Sequence, residues 1–144
     1  MKYIFHKKNS ISFQQGFELA ELPIVTFSQG INKFNFLLDT GANNNIIDKR
    51  VLDFIKYEPV NYTSDIMGFE GNKVNVELCT ITLSYNDKDY SFFYLICDMS
   101  KVFDQVKKDN DVIIHGIIGS KFFHEFHFVL DFESMKMYRK TFRN

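Results

Sequence analysis

Phe34-Asn35-Phe36-Leu37-Leu38-Asp39-Thr40-Gly41-Ala42 is an alternating apolar strand that ends in a carboxylate and a glycine. Phe34, Phe36 and Leu38 fall on one face and Asn35 and Leu37 on the other, the period-two signature of a strand. Asp39 sits just past its end. Aspartate is a poor strand residue, and desolvating its charge is costly unless it is paired or hydrogen-bonded. Gly41 permits a tight turn and close backbone approach, which leaves main-chain N–H groups free to face the carboxylate. Thr40 carries a hydroxyl able to bond across to a neighbouring chain or strand. Asp-Thr-Gly alone is a weak signal, since it arises by chance in roughly 3% of chains this long. The bland alternative is an aspartate that merely caps a turn. The apolar strand before it, and Ile117-Ile118-Gly119 far downstream, set this one apart.

Working outward, the pattern predicts a strand over Leu22 to Phe27 that pairs with Lys33 to Asp39 across a short turn after Gly30. Upstream, Tyr3-Ile4-Phe5 and Ile11-Ser12-Phe13 flank a polar turn and predict a small hairpin. Downstream of Asn43-Asn44-Asn45, Asp48 is placed to cap a short helix with Val51, Leu52 and Ile55 facing inward. Asp65 to Met99 reads mostly as strand, with a turn at Gly68-Phe69-Glu70-Gly71 and a long strand from Lys73 to Tyr85. That strand changes phase. Val74, Val76 and Leu78 share one face, and Cys79, Ile81, Leu83 and Tyr85 the other, which implies a bulge, a bend or a change of packing partner. Asn86-Asp87-Lys88 makes the next turn, and Tyr90 to Cys97 is the returning strand. Asp98 to Asp111 reads as a polar loop with at most one helical turn near Val102-Phe103. Ser120 heads a short helix over Lys121 to Glu125, and a final hairpin runs from Phe126 to Arg139.

The sum is a mainly antiparallel β domain with two small helices. A chain of 144 residues is expected to form one domain, 1–144, with 1–20 as an N-terminal extension of uncertain role. Seventeen Phe and seven Tyr favour a pleated, half-buried surface. A net charge of −1 gives no basic face for nucleic acid and no attraction to an anionic membrane surface. No apolar run is long enough to span a bilayer, and Met1 to Lys8 turns polar too soon for a signal peptide. The expectation is a cytoplasmic protein whose Cys79 and Cys97 stay reduced.

The order of parts resembles the retropepsin-like aspartic peptidases, the single-lobe relatives of pepsin that include retroviral proteases. In that family a hydrophobic strand leads into Asp-Thr/Ser-Gly-Ala/Ser, matched by Asp39 to Ala42. A glycine-containing hairpin, the flap, follows; Gly68, Phe69, Glu70 and Gly71 are the counterpart. Two hydrophobic residues and a glycine then precede a short helix, matched by Ile117, Ile118 and Gly119. The resemblance covers residues 20 to 140. It implies a closed antiparallel barrel of the acid-protease type with one or two short helices, and Ile117 to Gly119 threaded beside the catalytic loop. It also implies Asp39 as the catalytic carboxylate, a peptide substrate beneath the flap, and no cofactor. Residues 1–20, the loop 98–111 and the bulky flap tip of Phe69 and Glu70 depart from the family's minimal pattern.

Peptide hydrolysis by this route needs two carboxylates around one water. Like charges about 3 Å apart cannot both ionise, so the pair shares one proton and titrates as a unit. The chain has a single Asp-Thr-Gly; Asp48, Asp53, Asp65 and Asp131 lack its setting. The economical source of the second acid is an identical chain related by a two-fold axis. By the resemblance, Thr40 would bond across that axis. Ala42 has no hydroxyl to favour the ionised pair, which points to a proton kept toward neutral pH. The competing class is a non-catalytic dimerisation or peptide-binding module on the same fold. A monomer using a second carboxylate of its own is the third. Metal ligation by His115, His124 and His127 lacks the spacing of a helix-borne pair, and neither cysteine has a neighbour that would lower a thiol pKa.

Overall fold

A computed structural model describes residues 10–67 and 73–140, without the side chains of 61–67 and 73–75. Strand β1 (Ile24–Gln29) pairs antiparallel with β2 (Asn32–Leu38), turning at Gly30, where φ is +61° and a glycine is favoured. β3 (Asn45–Asp48) follows the Asp39 turn and runs into a 3₁₀ helix, Lys49–Asp53. β4 (Glu58–Met67) and β5 (Lys73–Tyr85) form a long hairpin, and β6 (Lys88–Cys97) returns along β5. The short strand β7 (Gly116–Ile118) lies between β2 and β3. In order β1-β2-β7-β3-β6-β5, six strands close into a barrel through a bridge between Ser28 and Ser84, and β4 extends from β5. Closure joins β1 to β5 and surrounds the core, and leaves β4 as an outer strand paired with β5. Two of its seams, β2 with β7 and β3 with β6, are parallel, because β7 and β3 come back through the barrel rather than by hairpins. β8 (Phe128–Asp131) and β9 (Lys136–Arg139) make a separate hairpin.

The strand faces are those the alternation predicts. Phe34, Phe36 and Leu38 enter the main core, where Phe27, Ile81, Leu83 and Phe122 meet them. The Phe122 ring touches Tyr90, Phe92, Phe126 and Phe128, so the short helix α3 (Ser120–Glu125) is tied to the barrel by aromatic contacts. The phase change along β5 is a change of packing partner. Val76 and Leu78 join Leu95 in a small cluster of their own, whereas Cys79, Ile81 and Leu83 face the main core. Register with β6 runs unbroken from Glu77 to Tyr85; the irregularity lies opposite, in β4 between Pro59 and Thr63.

Two expectations are corrected. Residues 12–13 do not form a strand: Ile11 exchanges bonds with Thr26, and the chain then enters helix α1 (Phe13–Ala20). Ser12 and Gln15 form a capping box, which outweighs the brief alternation. Gly16 presses on Ile24, where an added Cβ would stand 2.6 Å from the carbonyl oxygen. The first arm of the expected hairpin, Tyr3 to Phe5, lies outside the described residues.

The stretch after Asp98 is likewise no loop but helix α2 (Ser100–Asn110), with Phe103 buried. Arg50 fastens it. Its guanidinium bonds to buried Asp48 at 2.8 Å and to Asp104 of α2 at 2.9 Å. Burial opposes the Arg50 charge, but these two bonds outweigh it and hold the group above its ordinary range. Asp48 caps the 3₁₀ helix as predicted, accepting from Arg50 N–H. Val51 and Ile55 are buried.

Candidate active site

β2 delivers Asp39 to the end of the barrel, and β7 holds it there. Leu38 pairs with Ile118 in parallel register, and Asp39 N–H donates to the Ile118 carbonyl at 2.9 Å. The loop then turns on itself: Ala42 N–H donates to Asp39 O at 3.1 Å, and Gly41 N–H donates to Asp39 Oδ1 at 2.9 Å. A Cβ at Gly41 would lie 3.2 Å from that Oδ1, so a bare backbone suits this bond. Asp39 and Ala42 are half-buried, Thr40 and Gly41 exposed. Among the described residues Asp39 Oδ2 and the Thr40 hydroxyl have no hydrogen-bond partner.

The downstream segment is wedged against this loop. Ile117 pairs with Leu37 on one side and Ile46 on the other. Gly116 and Gly119 allow the approach: an added Cβ would stand 2.4 Å from Ile46 O at the first, and 2.7 Å from Ala42 O and Asn44 O at the second. Ser120 N–H donates to Ala42 O at 2.8 Å and Lys121 N–H to Asn43 O at 3.2 Å. Gly119 N–H donates to Asn45 Oδ1 at 2.8 Å. The two motifs read in the sequence, Asp39 to Ala42 and Ile117 to Gly119, are therefore brought into direct contact. The β4–β5 hairpin is described as far as Met67 opposite Lys73; Gly68, Phe69, Glu70 and Gly71 lie outside the described residues.

Other ionisable groups are engaged elsewhere. Asp48 faces Arg50, and Asp53 is exposed at the end of the 3₁₀ helix. Asp131 caps the β8–β9 turn, where bonds from Ser134 and Glu133 hold its carboxyl below the usual range. His115 is buried, with Nδ1 accepting from Asn35 N–H at 2.8 Å, whereas His124 and His127 are exposed. Burial pushes the Cys79 thiol up to about 12 and raises that of Cys97, helped there by Asp48, so both are poor nucleophiles.

Sequence reasoning missed Asn45. It reads as the end of a polar loop, yet it begins β3 and is wholly buried. The only local hint is the pair of β-branched residues after it.

No family model matches the chain, and no curated protein matches it. Among solved structures it is similar to "EIAV protease complexed with the inhibitor HBY-793", with 20% identity and a TM-score of 0.52. The match covers 72% of this chain and 86% of that one. At that identity the likeness is one of fold: the chain is mainly β, with a closed barrel of the retropepsin-like type.

Proposed function

We propose that the chain is one half of an aspartic endopeptidase, with Asp39 and Asp39 of the partner subunit sharing a proton at a homodimer axis. The observation that carries this reading is the state of Asp39. One oxygen is fixed by Gly41 N–H while Oδ2 has no partner among the described residues, on a loop locked by Ile117 to Gly119. Asp131, which caps a turn, accepts two backbone N–H groups on its Oδ1, whereas Asp39 accepts one. The fold likeness supports the reading by placing the chain among architectures that include a protease.

In the proposed reaction the ionised member of the pair takes a proton from a water held between the two acids. The protonated member donates to the scissile carbonyl, and the water oxygen attacks its carbon. As the carbon–nitrogen bond breaks, one acid gives its proton to the leaving amine and a hydroxyl proton of the tetrahedral diol passes to the other, which restores the dyad. The substrate would lie extended beneath Gly68 to Gly71, through main-chain bonds. Thr40, exposed beside Asp39, would bond to the partner loop. The chemistry calls for no cofactor.

Dilution tests the shared site. Specific cleavage activity should fall as the protein is diluted through the dimer dissociation range seen by sedimentation. Excess Asp39→Asn chain should poison wild type by forming hybrids. Activity per chain that is constant in a sedimenting monomer would favour a second carboxylate within the chain.

The pH profile tests Ala42. With no hydroxyl donated to the pair, the shared proton is kept to higher pH, and the rate should persist toward neutrality. A profile that collapses above about pH 4 would count against this.

A further inference from the structure

We infer that Asn45 is a positioning residue for Asp39, acting through Gly119; the inference rests on the peptidase reading above. Asn45 is 0% exposed, a costly place for a primary amide unless its polar atoms are matched. Its Oδ1 is matched, by Gly119 N–H at 2.8 Å. Its Nδ2 makes no hydrogen bond of normal geometry. That group bears on the buried hydroxyl of Tyr94, its register partner on β6, and favours the phenolate there, although burial dominates and keeps the phenol above its ordinary range. The acceptor is thus the atom that stabilises, and the donor is carried along with it.

Gly119 links that acceptor to the carboxylate. On one side of it, Ile118 O receives the Asp39 N–H at 2.9 Å; on the other, Ser120 N–H reaches Ala42 O at 2.8 Å. The carbonyls of Ala42 and Asn44 leave no room for a Cβ, so the segment sits wedged, and Asn45 Oδ1 sets its depth. Without that acceptor the buried Gly119 N–H must move to find another. It takes the Ile118 carbonyl, and so Asp39, with it. Two acids that share one proton tolerate little displacement, and a misplacement of about 1 Å costs roughly a hundredfold in rate.

Hydrogen exchange and kinetics test this together. In wild type the Gly119 amide should be protected to the level of Ile117 and Ile118. Exchange as fast as that of exposed Thr40 would overturn the inference, whether or not any variant folds. Asn45→Leu keeps the branched shape of the side chain and removes the acceptor. It should lower kcat about 10- to 100-fold with KM held within about threefold. Asn45→Asp, which still offers Gly119 an oxygen, should recover most of that loss. A Leu variant that melts earlier but keeps kcat within about threefold, or an Asp variant as slow as the Leu one, would overturn the inference. A wild type that cleaves no peptide while Gly119 stays protected would instead sink the peptidase reading, and with it the catalytic meaning of the clamp.

Discussion

Asp39→Asn should lower cleavage of a denatured protein by about a thousandfold or more while leaving the melting temperature close to that of wild type. The substitution keeps the shape and one oxygen, so Gly41 N–H retains its acceptor and the loop its turn. What is lost is the ability to take or give a proton, and an amide in either half spoils the shared pair. Asp39 is only half-buried and makes no ion pair with Arg50, unlike Asp48, so no structural charge network is broken. Cleavage assayed beside a thermal melt separates the readings. A folded mutant with wild-type rate would remove Asp39 from the chemistry. Equal inactivity of both proteins, each still dimeric, would favour a binding module that keeps the fold without the reaction.

The largest stability effect is expected at Gly116. A methyl group there would stand 2.4 Å from the carbonyl oxygen of Ile46 and 2.6 Å from the Phe36 ring. Neither neighbour can step aside, since Ile46 is in β3 and Phe36 is buried in β2, the two strands β7 joins. Relieving the clash means parting β7 from one of them. Overpacking costs about 1–3 kcal/mol, and each ladder bond lost adds about 1 kcal/mol. Gly116→Ala should therefore remove about 3–5 kcal/mol, a large share of the roughly 5–15 kcal/mol a domain has in hand. Urea unfolding measures it. A loss below about 1 kcal/mol would mean that β7 is not gripped as tightly as these distances state.

Much of the barrel was legible because its strands alternate. β2, β5, β6 and the β1–β2 turn were all read from the sequence, and β2 and β5 bury the faces that their period-two patterns name. Helix α2 was not legible for an energetic reason. Of its eleven residues only Val102, Phe103 and Val106 are apolar, and isolated polar segments of that length are marginal helices. Phe103 in the core and Arg50 on Asp104 supply what propensity does not. α1 carried a readable signal, Ser12 followed three residues later by Gln15, masked by the alternation of Ile11-Ser12-Phe13.

At the site, Asp39 to Ala42 and Ile117 to Gly119 were both visible as motifs. Their contact rests on β7 entering between β2 and β3, which local pattern does not encode. Asn45 was invisible for the same reason. Its partner, Gly119, is 74 residues away, and an asparagine before a strand reads as loop until that bond is known.

The decisive quantity is the separation of the two Asp39 carboxylates in a crystal structure of the assembled protein. Approach to about 3 Å across a two-fold axis, with Thr40 hydroxyls bonded to the opposing loops, is the predicted result. An assembly that holds these side chains apart, or a chain that crystallises and sediments alone with Asp39 facing solvent, would contradict it.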